Sequence, residues 1–340
     1  MNEQEDKIRR IDIMNYKILT LITITFVGVI LAGCGAGEGG TGPSRTPFAG
    51  GANGLSLSFM EGAPPNEVFD AGNFPFSINV RVENLGEHTV GQNDGYIEIT
   101  GINPEDFGKR TDEMLQEFPQ DIRGVVKNHE GTVIIGETVT VDFQNLNYER
   151  NLRGNWDGPR IRANACYNYE TEASTAVCLK QDMLANINSR DICSVSGQKP
   201  VYNSGAPIHI SKVEQTPVSA NRIQVQFEIR HVGSANDRIY RYDTECDDRP
   251  TNNDKNKVFF EIPEPINGNY AECSGLEEGA SGTNAGFVTL PNREPRVVIC
   301  AFDVGEIRGG YEQQVTAHLR YRYSQFIERN ILIRDVTTSN

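Results

Sequence analysis

The chain has 340 residues, 38% of them hydrophobic, and its formal net charge at pH 7 is −14. This acidity argues against nucleic-acid partners, which are bound through clusters of Lys and Arg, and equally against docking on anionic lipid headgroups. The 33 Gly and 16 Pro, with few long apolar periods, favour β-structure over helices.

An apolar run of 15 residues, Ile18–Ala32, lies near the start of the chain. It is short for a transmembrane helix, which needs roughly 20 apolar residues, and it has the length of a secretory h-region. Either Met1 or Met14 can serve as the start, and Met14 leaves the more typical cationic segment ahead of the run.

The run ends in Leu31-Ala32-Gly33-Cys34, which resembles the lipobox of prokaryotic lipoproteins, bacterial or archaeal. The resemblance implies that residues 1–33 are a cleaved signal peptide and that Cys34 is lipidated. An uncleaved signal anchor and a buried core helix are the alternatives. Residues 35–54 contain eight glycines among twenty residues, so residues 34–54 are expected to form a flexible tether.

Short alternating segments begin at Leu55. Leu55–Phe59, Phe76–Val82 and Tyr96–Ile99 each alternate apolar and polar residues, as half-buried strands do. Further strands are expected at 132–135, 138–143 and 160–169, and Asn103-Pro104 can begin one helical turn. About seven short strands predict a β-sandwich over residues 55–180.

The second half of the chain repeats these landmarks. Ile223–Gly233 parallels Phe76–Gly86, and the two final glycines lie 147 residues apart. Two Tyr-x-Tyr segments, Tyr167-Asn168-Tyr169 and Tyr321-Arg322-Tyr323, lie 154 residues apart. Matched order at similar spacing indicates a tandem duplication. The prediction is an all-β chain with a second sandwich over 205–336 and a connection over 181–204.

The alternating strand that ends in Asn84-Leu85-Gly86 resembles immunoglobulin-like modules of the CARDB and S-layer-associated type. The second copy departs from this pattern, with His231 where Asn is usual. The resemblance implies tandem immunoglobulin-like β-sandwich domains with a display or adhesion role at the cell surface. It carries over no catalytic residues.

Six cysteines remain after Cys34, and an even number in an exported chain predicts three disulfides. Two pairings are expected: Cys166 with Cys178, flanking a hairpin of residues 167–169 and 174–177, and Cys273 with Cys300 in the second half. The candidate disulfide residues are Cys166, Cys178, Cys193, Cys246, Cys273 and Cys300.

The chain has no nucleophile elbow, P-loop or paired-histidine zinc motif, so we do not expect an enzyme. The best metal candidate is an acidic loop, because calcium takes oxygen ligands, although such loops are usually only solvated. Its candidate ligands are Asp243, Asp247, Asp248 and Asp254. No other cofactor is expected.

These features predict a membrane-anchored, extracytoplasmic lipoprotein with a structural, adhesive or protein-binding role at the envelope. Its expected partners are the membrane, through the lipid on Cys34, and an envelope or surface protein. The alternative is an accessory protein that captures a ligand or solute for a membrane complex, and a hydrolase of unfamiliar type is a weaker third hypothesis.

Overall fold

The computed structural model describes residues 46–185, 192–249, 251–278 and 283–336. Cys34 and the predicted signal segment therefore lie outside the described residues. The described residues belong to one compact unit, Thr46–Asn340. No helix in the described ranges has the length and apolar content needed to cross a bilayer.

The fold of the described residues is all-β, as predicted, and the few helices among them are single 3₁₀ turns. The strands of the described residues are, in chain order, β1 (Leu55–Phe59), β2 (Glu67–Phe69), β3 (Phe76–Asn84), β4 (Gly95–Thr100), β5 (Leu115–Glu117), β6 (Val126–Lys127), β7 (Val133–Ile134), β8 (Thr138–Leu146), β9 (Trp156–Lys180), β10 (Gly197–Lys199), β11 (Val201–Asn203), β12 (Ile208–Ser219), β13 (Arg222–His231), β14 (Arg238–Tyr240), β15 (Lys257–Glu261), β16 (Glu272–Ser274), β17 (Ala285–Thr289), β18 (Arg296–Asp303) and β19 (Gly310–Arg334). The 3₁₀ turns are Gln92–Asp94, Pro104–Phe107, Thr111–Met114 and Pro291–Arg293.

The same strand order occurs in both halves of the unit. In the first half, β1-β3-β8 form one sheet and β5-β4-β9 belong to another; in the second half, β12-β13-β18 and β17-β15-β19 are their counterparts. β10 and β16 add edges to the second-half sheet. The repeat predicted from the matched landmarks is therefore present in the fold.

The two halves share one sheet, because β9 and β19 pair with each other. Their antiparallel ladder runs from Lys180↔Gly310 to Trp156↔Ile333. It joins β5-β4-β9 to β19-β15-β17, and β2, β11 and β14 complete a sheet of nine strands in the described part of the chain.

Each long strand also continues into the other half. In β9, the Thr171 hydroxyl donates to the Ile208 carbonyl at 2.7 Å, at the start of β12. In β19, the Gln325 amide donates to the Leu55 carbonyl at 2.8 Å, in β1. Each half therefore supplies an additional strand to the sheet of the other.

Four buried tyrosines mark the centre of the repeat: Tyr167, Tyr169, Tyr321 and Tyr323. Along an extended strand they alternate with outward-facing residues, so all four side chains enter the core. Tyr169 Oη donates to Asn84 Oδ1 at 3.2 Å, and Tyr323 Oη lies 2.9 Å from His231 Nε2. Asn84 and His231, the first residues of the Asn-x-Gly and His-x-Gly landmarks, thus make equivalent contacts with the repeated tyrosines.

The backbone turns beside these tyrosines also repeat. The Gly54 carbonyl accepts from the amides of Leu85 and Gly86 at 2.9 and 3.2 Å. The Pro207 carbonyl accepts from the amides of Val232 and Gly233 at 2.8 and 3.1 Å. The two turns therefore close in the same way although their sequences differ.

The cysteines form three disulfides, but one predicted pairing is wrong. Cys166 and Cys178 both lie in β9, and twelve residues of extended strand separate them by roughly 40 Å. No hairpin forms between residues 169 and 174. The bonds are Cys166–Cys246, Cys178–Cys193 and, as predicted, Cys273–Cys300.

Residues 46–54, at the end of the predicted tether, are bound to the folded unit. The Glu87 carboxylate accepts from the backbone amides of Ala49, Gly50 and Gly205, at 2.9, 2.8 and 2.7 Å. This single side chain therefore fixes both the start of the unit and the junction between its halves.

Gly86 and Gly233 test the repeated tyrosine contact. A Cβ at Gly86 would overlap Tyr169 Oη, and one at Gly233 would overlap Tyr323 Oη. We expect Gly86→Ala and Gly233→Ala each to lower the free energy of unfolding by about 1–3 kcal/mol in urea denaturation, since overpacking moves buried groups.

Gly310→Ala is the matched control, because its nearest neighbour would be Lys180 Cγ at an ordinary 3.6 Å. We expect it to change stability by no more than about 0.5 kcal/mol. Equal stability of all three variants would contradict the proposed packing.

Candidate binding face

The outer face of the shared sheet carries a row of paired polar side chains from β9 and β19. Alternation along the strands turns these residues away from the buried tyrosines. The contacts include His318 Nδ1 to Glu170 Oε1 at 2.5 Å and Arg322 Nε to Asn168 Oδ1 at 3.0 Å. We call this side of β9 and β19 the outer face.

At the second-half end of the outer face, arginine and aromatic side chains stack on one another. The Arg241 guanidinium lies 4.1 Å from the ring centroid of Phe287, and that of Arg320 lies 4.9 Å from the centroid of Phe259. Tyr242 stacks on Phe287 with an interplanar angle of 15°. These five side chains form the aromatic–arginine cluster.

The cluster is electrostatically balanced by carboxylates. Arg320 pairs with Glu261, and Arg241 pairs with both Glu278 and Asp243. Most of these side chains are partly exposed, so the face offers planar cations, rings and carboxylates to a partner. Guanidinium groups and aromatic rings are suited to contact a flat, polar protein surface rather than a free anion.

The loop after β14 crosses the outer face and is fastened to the first half. Cys246 bonds to Cys166 in β9. Beside it, Glu245 pairs with Arg322 at 3.1 Å and accepts from Tyr96 Oη at 3.4 Å. Burial, together with the nearby carboxylates, raises the pKa of Tyr96 to about 12, so its hydroxyl stays protonated as a donor.

The predicted metal ligands lie in this loop, but three of the four carboxylates bind other side chains. Asp243 Oδ1 accepts from Arg241 at 2.6 Å, Asp247 pairs with Arg249 at 2.7 Å, and Asp248 accepts from a tyrosine hydroxyl at 2.6 Å. The backbone carbonyl of Asp254 accepts from the Arg241 amide at 2.9 Å. Within the described ranges no three His, Cys, Asp or Glu side chains converge on a point where a metal ion could bind.

A second polar cluster lies behind a cleft of about 270 Å³ lined in part by Asp237 and Arg293. Tyr323 Oη donates to Asp237 Oδ2 at 2.7 Å, so the His231 Nε2–H must donate to the Tyr323 oxygen. Burial, with the charge of Arg293, lowers the pKa of His231 to about 3. His231 is therefore neutral at physiological pH and acts as a fixed donor.

Another cleft, of about 280 Å³, lies next to the His318–Glu170 pair and is lined by Glu87, His88, Lys127 and Glu170, among others. Burial lowers the pKa of His88, so this imidazole is neutral near pH 7. The cleft is smaller than a typical ligand pocket of roughly 300–1,000 Å³. Two of its acidic groups are committed to structure, because Glu87 binds backbone amides and Glu170 binds His318.

Sequence reasoning missed the aromatic–arginine cluster, although part of its signal is local. Arg320 and Arg322 alternate with Tyr321 and Tyr323, which places the two arginines on the face opposite the core. Arg241, Tyr242 and Phe287 come from elements that only the sheet order brings together. Cys34 lies outside the described residues.

Comparison with protein-family models and with curated proteins gives no match to this chain. The three disulfides indicate an oxidising, extracytoplasmic environment.

The His318–Glu170 pair predicts a pH effect on the outer face. The hydrogen bond to Glu170 raises the pKa of His318 above 6.5; burial opposes ionisation of Glu170, but His318 outweighs it and lowers that carboxyl's pKa. The pair's stabilisation is fully present between about pH 4.5 and 6.5, and the His318 part is lost as the pH rises through its folded pKa.

We expect Glu170→Gln to lower the pKa of His318 by removing its hydrogen-bonded anion, measured by NMR titration of the imidazole Cε1–H. Glu172→Gln is the control, because Glu172 is opposite His318 in the ladder but makes no hydrogen bond to it. A larger shift in the control than in Glu170→Gln would refute the assignment.

Proposed function

We propose that this protein is a lipid-anchored, extracytoplasmic scaffold that presents its outer face to another envelope protein. The lipobox resemblance at Cys34 supports anchoring, and the disulfides fit export. The single observation that carries the binding role is the aromatic–arginine cluster on the shared sheet.

The composition of the outer face favours a protein partner. Arg, Tyr and Phe are enriched at protein interfaces, where a few such side chains contribute most of the binding energy. The acidic net charge and the carboxylates beside each arginine disfavour a polyanion. A sheet that is continuous through both halves also holds the face rigid, which limits the entropy lost on binding.

Capture of a small ligand is the second candidate, and one cleft favours it. This cleft of about 640 Å³ has the size of a ligand pocket and is lined by residues that include Lys180, Cys193, Ala220 and Gly310. Binding there would pass a ligand to a membrane complex. A variant that no longer cross-links to a partner but still binds a ligand in this cleft would show that the two roles are separate.

The lipid anchor is tested on protein extracted from the membranes of whole cells. We expect the N-terminal peptide of the membrane-extracted protein to begin at Cys34 and carry the mass of acyl or isoprenoid chains. Cys34→Ser should release the protein from the membrane fraction. A bond still intact between Gly33 and Cys34, or an unmodified Cys34, would disprove the anchor.

Surface cross-linking then addresses the partner. We expect a cross-linked adduct in the wild type that Arg320→Ala weakens at least tenfold, because hot-spot residues contribute ~2 kcal/mol or more. Arg222→Ala is the control, since Arg222 forms an exposed pair with Glu272 on the other sheet of the second half. Equal loss in both variants would argue against the outer face.

A further inference from the structure

Four exposed aliphatic side chains lie together on the hairpin formed by β6 and β7. The hairpin is a two-stranded sheet separate from the sandwich sheets. Ile135 is 83% exposed, and Val126, Val133 and Ile134 are 49–56% exposed. Single exposed apolar residues are ordinary on a protein surface, but a contiguous group marks an interaction site.

One face of the hairpin is apolar, and the other carries aliphatic side chains beside a lysine. Val126 pairs with Ile134, so these two side chains share one face. Val133 is one residue before Ile134 and Ile135 one residue after it, so both point to the opposite face, where Val133 pairs with Lys127. The face of Val126 and Ile134, together with Ile135 directly after β7, therefore provides most of the exposed aliphatic surface.

The base of the hairpin lies where the chain joins the folded unit. Lys127 Nζ donates to the Thr46 carbonyl at 2.9 Å and to the Phe48 carbonyl at 3.3 Å. On the other side, the Val125 amide donates to the Gly86 carbonyl at 2.7 Å. Thr46 and Phe48, at the start of the described chain, therefore lie directly beside the hairpin.

We propose that the hairpin 126–135 inserts its aliphatic side chains into the interface of the membrane to which Cys34 is anchored. This inference rests on the proposed lipid anchor. The twelve residues that follow Cys34 up to Thr46 can extend over at most about 43 Å. A lipid on Cys34 therefore keeps the hairpin within reach of the bilayer surface.

The charge of the protein indicates which lipid composition is suitable for testing membrane binding. The chain has a net charge of −14 and the hairpin is not basic, so insertion depends on apolar contact rather than on attraction to anionic headgroups. A zwitterionic phosphatidylcholine bilayer is therefore the appropriate probe. Membrane contact at this point would set the orientation of the outer face relative to the cell surface.

The single tryptophan of the chain, Trp156, makes a fluorescence test possible. The full protein, extracted from membranes, is reconstituted into phosphatidylcholine vesicles with and without brominated acyl chains. In the double variant Trp156→Phe, Ile135→Trp we expect a blue-shifted emission that the brominated chains quench. Ile134→Trp in the same background serves as a second probe if the first variant folds poorly.

The wild type is the internal control. The hairpin borders the cleft at Glu170, and Trp156 lies about 45 Å along β9 from that residue. Trp156 should therefore show neither the blue shift nor the quenching.

Two measurements keep the proposals separable. Lipidated Cys34 with no quenching at residue 135 or 134 overturns the hairpin inference and leaves the anchor standing. Unmodified Cys34 with quenching overturns the anchor and leaves the hairpin as a membrane contact. Equal quenching of Trp156 and the introduced tryptophan also overturns the inference, because the contact would then not be specific to the hairpin.

Discussion

The antiparallel ladder between β9 and β19 is the interaction on which the rest of the fold depends. It joins residues about 150 positions apart, so loop closure must precede most of its stabilisation. The ladder is symmetric about the Asn168↔Arg322 pair, and each strand extends past that centre to complete the sheet of the other half. Neither half therefore has a complete sheet without the long strand of the other. The disulfide Cys166–Cys246 closes an 80-residue separation and adds a covalent link on the outer face.

Strand alternation connects the core to the face proposed for binding. In the centre of the ladder, one set of alternate residues places Tyr167, Tyr169, Tyr321 and Tyr323 in the core, and the other set places Glu170, His318, Arg320 and Arg322 outside. A shift of one residue in register would exchange the two sets, which would bury charge and expose rings. The same constraint that packs the tyrosines therefore fixes the polar pairs and the position of the arginines. The hydrogen bonds of Asn84 and His231 with those tyrosines resist such a shift.

Local patterns predicted the local structure well. Alternation located β1, β3, β4 and β13, Asn103-Pro104 marked a 3₁₀ turn, and the matched glycines and tyrosines revealed the repeat. The prediction failed where a strand is longer than its pattern of alternating apolar and polar residues. Alternation in β9 changes around Glu170–Ala173, so this single 25-residue strand was predicted as a hairpin. The wrong pairing of Cys166 with Cys178 followed from that hairpin. β12 continues through Pro217, which is tolerated because β12 has no partner strand on its other side there. The aromatic–arginine cluster depends on sheet order, which local sequence does not encode.

The β9–β19 ladder makes the two halves one cooperative unit. Calorimetric unfolding of the disulfide-intact protein tests it most directly. We expect one transition with equal calorimetric and van't Hoff enthalpies, because unfolding either half removes a strand from the sheet of the other. Two resolved transitions, each with about half of the total enthalpy, would show that the halves unfold independently and would contradict it.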